Sequence, residues 1–422
     1  MVEFSGKENL ARYARHLALE GWDQNVITSS HVVIVGVGAL GCEIAKNLTL
    51  VGCGRLTLID MDTIETSNLS RQMLFTEEDR GKPKAEVAAK KLTALNPDVE
   101  ISVYTEKFQE LPLGIFEDAD IFAGGLDSFN ARFALNRISY ELCKPYVDGA
   151  ATGFKGNVQI IIPEGCAITP EATACLKCFF PVPPADEKVY VACSLPGEPR
   201  SREQCILKAE DRFVKEHGVH KEYSPEDLAT IAEIASKLSE SSPHTEKETF
   251  IPEEIENIIA NKIPSILTVN AVISGIVSHE VLKILHRLKG RDIGEIMSPP
   301  YLEYSSAYGI FTPVEIARDE NCSVCGKVRV NVRLSLKENS TMGDLMSALG
   351  EAGYKLPRTA LVTKVIDARV IMAPGQDILD MKLSVLKVRN HDILRATYTS
   401  KGEDGAQERK QLEFIVDMGG EQ

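Results

Sequence analysis

Two cysteine pairs with two-residue spacers, Cys175–Cys178 and Cys322–Cys325, could close a tetrahedral four-thiolate zinc site if the fold brings them together. Read singly, each pair is also a redox motif or two packed thiols, but neither opens a thioredoxin-like helix. Six further cysteines stand alone: Cys42, Cys53, Cys143, Cys166, Cys193 and Cys205. An accessible one with thiolate character could take an acyl group from an activated carboxylate. Cys42 is expected on a packed helix, Cys53 and Cys143 in apolar surroundings, and Cys166 before a turn. That leaves Cys193 and Cys205.

A second constellation begins at Gly36-Val37-Gly38-Ala39-Leu40-Gly41, which follows an apolar β-branched run and opens a helical pattern. Such a turn aims backbone N–H groups and a helix dipole at an anionic phosphate chain. Asp60, at the end of the next strand, stands where a carboxylate accepts ribose hydroxyls, and on these residues alone a nicotinamide enzyme is favoured. A Walker-type loop is disfavoured, because Cys42-Glu43 follows the last glycine where that motif has Lys and Ser/Thr. The residues after Asp60 shift the balance: Asp62, Ser67, Asn68, Arg71, Gln72 and Lys84 are a density of cationic and polar groups that hydride transfer does not need. Departure of pyrophosphate does need it, since donors aimed at developing charge stabilise the transition state.

The elements that must position these groups alternate between strand and helix. Residues 31–35 read as a strand, 39–50 as a helix, 56–59 as a strand and 84 onward as a helix behind Pro83, with strands near 101–104 and 120–123. The implied fold is α/β, a Rossmann-like, mostly parallel sheet covered on both faces, with its ligand beyond the carboxyl ends of the strands. The expected boundaries are a first part of this domain over 1–180, a helical insertion over 181–264, a second part over 265–326, and a β-grasp domain over 327–422. Against 47 Lys and Arg stand 61 Asp and Glu, and a net charge of −14 repels nucleic acid phosphates. The charged N-terminus is unlike a secretory signal, and no apolar run of roughly 18–20 residues is seen, so no membrane association and a cytoplasmic location are expected. Ten cysteines then point to metal or thiol chemistry in a reducing compartment.

With these motifs in hand, the segment from Gly36 to Asp127 resembles the adenylation domains of the MoeB and ThiF proteins and of ubiquitin-activating enzymes. The resemblance implies a nucleotide site for ATP made of Gly36, Gly38, Ala39, Gly41, Asp60, Asp62, Ser67, Asn68, Arg71, Gln72, Lys84, Asp127 and Ser128. Asp60 would bind ribose, Asn68, Arg71, Gln72 and Lys84 the triphosphate, and Asp127, in Gly125-Leu126-Asp127-Ser128, magnesium. It also strengthens the zinc reading of Cys175, Cys178, Cys322 and Cys325. Val191-Ala192-Cys193-Ser194-Leu195-Pro196 closely resembles the catalytic-cysteine segment of activating enzymes for ubiquitin-like modifiers, which implies Cys193 as the thioester nucleophile. Gly153–Asn157 and Thr268–Asn270 belong to the same resemblance.

The final domain looks like the ubiquitin-fold domain with which such enzymes recruit a conjugating enzyme. Ala11-Arg12-Tyr13-Ala14-Arg15 is similar to the N-terminal motif of MoeB-like homodimers, in which the second arginine reaches the partner subunit's ATP. Arg15 and Cys193 on one chain therefore imply a self-sufficient homodimer acting on a ubiquitin-like modifier protein. The rivals are a sulfur-carrier adenylyltransferase that forms no thioester, a non-catalytic scaffold subunit, and the nicotinamide dehydrogenase.

Overall fold

In the computed structural model the short apolar runs become adjacent strands: β1 (His31–Val35), β2 (Arg55–Ile59), β3 (Glu100–Tyr104) and β4 (Ile121–Gly124). β1 and β4 are buried along their whole length, as continuous apolar runs in a parallel sheet require. The structure describes residues 11–166, 168, 172–181, 199, 202–218, 223–243, 245, 247–259, 265–326, 332–367, 369–401 and 407–419. The chain divides into two compact units, Met1–Pro183 with Leu267–Gln422, and Pro184–Ile266.

The first unit is built on an eight-stranded sheet of order β3-β2-β1-β4-β5-β6-β7-β8, completed by β5 (Tyr146–Thr152), β6 (Lys155–Ile161), β7 (Tyr301–Ser305) and β8 (Ile310–Val314). β3 through β5 are parallel, and β6, β7 and β8 are each antiparallel to the strand before. Alternate residues of β1 feed two cores. Val32 and Ile34 pack with helices Ala39–Leu50, Lys84–Leu95 and Leu267–Leu288, while Val33 and Val35 pack with helix Phe129–Glu141 and the paired cysteines. The chain leaves β1 toward β2 and returns on its other side as β4, so the carboxyl ends of β1 and β4 flank a topological switch point.

Helix Leu267–Leu288 departs from the expectation of no span-length apolar run, since it is 22 residues long and holds an 18-residue window with a mean hydropathy of 1.3, the length and composition of a membrane span. It is a core helix here: Val269, Ile273, Val277 and Val281 are buried against β5, β6 and helix Ala39–Leu50.

A second sheet of order β11-β10-β12-β13-β9 is formed by β9 (Val332–Lys337), β10 (Leu361–Lys364), β11 (Val370–Met372), β12 (Asp392–Lys401) and β13 (Gln407–Gly419). β9 and β13 are parallel, and helix Met342–Glu351 lays Met342, Leu345 and Leu349 into the core beneath them. The second unit holds helices Arg202–His217, Pro225–Ser241 and Pro252–Ile259 around its own core of Ile206, Phe213, Ile231 and Ile255.

Arg137, buried on helix Phe129–Glu141, joins three parts of the first unit. It pairs with Glu141 at 2.9 Å and Glu413 of β13 at 2.8 Å, and donates to the Ser323 carbonyl at 2.9 Å. Removing one partner of such a buried network strands the others. Arg137→Ala is expected to destabilise the first unit by about 3–5 kcal/mol, measured by urea denaturation; a loss below about 1 kcal/mol, the surface ion-pair range, would contradict this role.

Candidate nucleotide and zinc sites

The glycine turn sits at the switch point and is tied to both neighbouring strands. The Gly36 N–H bonds the Ile59 carbonyl and the Gly125 N–H bonds the Val35 carbonyl, each at 2.9 Å. Gly36 adopts φ +87°, and a Cβ there would stand 2.6 Å from the Gly125 carbonyl oxygen. A Cβ on Gly41 would fall 1.8 Å from the Gly36 carbonyl oxygen, so the turn can close onto its helix only without one. Gly38 differs: a Cβ there would meet nothing within 4 Å. Protein packing does not demand glycine at that position, whereas close approach of a phosphate to the backbone does. Among the described residues no side chain caps helix Ala39–Leu50, which leaves its first N–H groups for an anion.

Asp60 holds this turn in place. Its carboxylate accepts the Val37 N–H at 2.6 Å and the Asp62 N–H at 2.9 Å. Burial raises the Asp60 carboxyl above its ordinary value, and the nearby Lys84 ammonium opposes the rise. Asp62 in turn carries Lys84, through a carboxylate–ammonium pair at 2.8 Å and a bond from the Lys84 N–H to the Asp62 carbonyl at 3.0 Å. Lys84 is only 7% exposed, an ammonium held at the first turn of its helix. Ile64 pairs with Lys82 and Gly81, so the intervening segment closes as a loop. Within it Ser67 lies on the turn Thr66–Asn68, Asn68 accepts the Glu65 N–H at 3.0 Å, and Arg71 follows, half-buried. Gln72 is buried, with no hydrogen-bond partner for its Oε1 among the described residues.

Asp127 is exposed just past β4 and has no hydrogen-bonded or ion-paired partner among the described residues. Ser128 caps helix Phe129–Glu141 by accepting the Ala131 N–H at 3.3 Å. The sequence reading did not include Arg132 and Asp148 in the site. Arg132 Nε bonds both Asp148 oxygens, at 3.2 and 3.0 Å, and Asp148 lies on β5 directly beside Gly124. Neither residue carries a signal of this pairing in the sequence, because the two stand sixteen positions apart and meet only through the fold.

The four paired cysteines converge. Their sulfurs all lie within 4.8 Å of one another, with Sγ separations of 3.7 Å for Cys175–Cys322 and 3.2 Å for Cys178–Cys325. Thiolates around one zinc at about 2.3 Å would stand about 3.8 Å apart, so the donor set and its spacing fit that ion. Arg318 Nε and Arg137 hold the second pair by its backbone, donating to the Cys325 and Ser323 carbonyls at 3.0 and 2.9 Å.

Cys193 lies outside the described residues. Cys42 and Cys53 are wholly buried, and burial pushes both thiols up to about 12. Cys205 is buried in the second unit's core, with burial raising its thiol as well. Cys143 corrects the sequence reading, for it is exposed at a helix end instead of lying in apolar surroundings. Arg15 is exposed before the turn His16–Ala18. Its segment is anchored by Tyr13, which takes a hydrogen bond from Asn96 at 2.8 Å, and by Arg12 on the Leu95 carbonyl at 3.1 Å. That is the end of helix Lys84–Leu95 remote from Lys84, about 16 Å along the axis at 1.5 Å per residue.

An uncapped helix behind a glycine turn at the switch point of a doubly wound sheet, with a carboxylate ending the neighbouring strand, defines a nucleotide-binding α/β protein. The ThiF family model matches residues 13–324, and the chain belongs to the ThiF family. It is 32% identical over 359 residues to the NEDD8-activating enzyme E1 catalytic subunit of Arabidopsis thaliana, covering 81% of this chain and 75% of that protein. It is 39% identical over 184 residues to the sulfur carrier protein adenylyltransferase of Thermus thermophilus, covering 42% of this chain and 66% of that one. The crystal structure of E. coli MccB aligns at 20% identity with a TM-score of 0.46, covering 73% of this chain and 68% of that one.

Two outcomes follow from this geometry. ATP should raise the melting temperature of the unmodified chain but not of Lys84→Met, in a thermal-shift titration; an equal rise in both would remove Lys84 from the site. Elemental analysis of the purified chain should find zinc, and Cys175→Ser should lose both the metal and stability. A zinc-free, equally stable chain would leave the four thiols as packing alone.

Proposed function

We propose that this chain activates a ubiquitin-like modifier with ATP, first adenylating the modifier's C-terminal carboxylate and then capturing the acyl group on Cys193. The observation that carries this reading is the extent of the likeness. Similarity to the E1 catalytic subunit spans 81% of the chain, far past the nucleotide site, whereas likeness to the sulfur carrier adenylyltransferase stops at 42%.

In the adenylation step the modifier's carboxylate attacks the α-phosphate and pyrophosphate leaves. The N–H groups from Gly38 to Gly41 cradle phosphate oxygens, Asp60 takes ribose hydroxyls with the lone pairs its backbone partners leave, and Lys84 and Arg71 meet the charge that develops on the leaving group. Asn68 and Gln72 supply neutral donors and acceptors around the same chain of phosphates. Asp127 would hold magnesium, an ion satisfied by one carboxylate with phosphates and waters, which would neutralise phosphate charge. Cys193 then displaces AMP to give a thioester, and the domain over 327–422 presents it to a conjugating enzyme. The zinc clip holds structure and takes no part in these steps.

Arg15 is proposed to act in trans within a two-fold homodimer. Anchoring of its segment at the far end of helix Lys84–Leu95 supports this, because it holds Arg15 away from its own chain's Lys84. The chain is proposed to work in the cytoplasm, where its thiols stay reduced.

Incubation with ATP, magnesium and candidate modifiers should give a thiol-sensitive adduct on nonreducing gels that Cys193→Ala abolishes; pyrophosphate exchange without any adduct would instead establish the sulfur-carrier reading. Arg15→Ala should lower exchange by about 10²–10³, as loss of one transition-state donor does, and mixing it with the Lys84→Met chain should restore part of the activity. Exchange left intact in Arg15→Ala would refute the trans role.

A further inference from the structure

Cys143 and Cys166 form a thiol pair apart from both the zinc cluster and the nucleotide site. Their sulfurs lie 3.6 Å apart. Helix Phe129–Glu141 ends in a Schellman turn, with the Lys144 N–H bonding the Ser139 carbonyl at 2.9 Å, and Cys143 occupies its left-handed position at φ 51°. Glycine or asparagine ordinarily takes that place, because a Cβ is strained there. Cysteine offers no local hydrogen bond to its own turn that would offset the strain. Its side chain instead reaches across to the turn Pro163–Cys166, donating to the Glu164 carbonyl at 3.2 Å, while Cys166 donates back to the Cys143 carbonyl at 3.1 Å. Gly165, at φ +90°, turns that loop so closely that a Cβ on it would stand 3.5 Å from the Cys143 sulfur.

We infer that Cys143 and Cys166 are a peroxide-responsive dithiol that closes to a reversible disulfide. A disulfide needs its sulfurs at about 2.05 Å, and Cys143 has solvent on one side through which to rotate inward. The two thiols are unequal. Cys143 is exposed, whereas Cys166 is 9% exposed and burial pushes its thiol up to about 12. The Cys143 thiolate therefore attacks peroxide, cleaving the O–O bond, forming a sulfenic acid and releasing hydroxide. Cys166 then attacks the sulfenic sulfur; the S–S bond forms, the S–O bond breaks, and the Cys166 proton leaves with the hydroxyl as water. In sum, two thiols and one peroxide give one disulfide and two waters, and a dithiol reductant reverses the change.

The bond would tie the C-terminal end of the helix that opens beside Asp127 to the loop whose Glu164 pairs with Arg318 at 2.8 Å, the residue that holds the Cys325 backbone. The bond would use none of the residues assigned to the nucleotide and zinc sites.

The test treats the full-length, zinc-loaded chain with hydrogen peroxide, alkylates the remaining thiols, and maps peptides without reduction. The expected result is a Cys143–Cys166 linked peptide lighter by two hydrogens, which dithiothreitol resolves. Cys166→Ser should leave Cys143 as a sulfenic acid that dimedone captures. If both thiols stay alkylatable at peroxide levels that oxidise other cysteines of the chain, or if Cys143 oxidises without ever linking to Cys166, the inference fails.

Discussion

The candidate site depends on one carboxylate. By accepting the N–H groups of Val37 and Asp62, Asp60 fixes the glycine turn after β1 against the chain that leaves β2. Asp62 then carries the Lys84 ammonium. A single half-buried carboxylate therefore sets both the concave backbone that can face phosphates and the cation that can meet them. The arrangement is anchored from below, since β1 and β2 are parallel neighbours buried in a close-packed core, where a shift in one strand is felt in the other.

A second constraint acts at the other end of helix Phe129–Glu141. Arg137 binds that helix to the backbone of the second cysteine pair and to β13 of the smaller sheet. The two cysteine pairs are separated by about a third of the chain, and the intervening residues include the whole of the second unit. A zinc held there would fix both flanks of that excursion.

Periodicity served well where burial is continuous. The strands expected at residues 31–35, 56–59, 101–104 and 120–123 are β1 to β4 within a residue at each end, and the helix expected at 39–50 is Ala39–Leu50. It served poorly where the signal lies in partners distant along the chain. The antiparallel edge of the sheet follows from β6 to β8 adding on one side, an order that no local pattern encodes. Asp60 was singled out in the sequence as a carboxylate expected to take ribose hydroxyls, whereas its clamp on the turn was not legible, because its partners there are backbone amides. Spacing revealed the cysteine pairs at two-residue intervals, while Cys143 and Cys166, 23 residues apart, meet only through the fold. The apolar helix Leu267–Leu288 shows the converse, a composition that suits lipid equally well but is spent on the core.

The proposed reaction turns on one bond, formed when a carboxylate attacks the α-phosphate of ATP at this site. Oxygen-18 placed in the modifier's C-terminal carboxylate reads that bond directly. After turnover to the thioester, mass spectrometry should find the label in AMP, with unlabelled pyrophosphate as the other product. Label in inorganic phosphate together with ADP would mean attack at the γ-phosphate and would contradict the account.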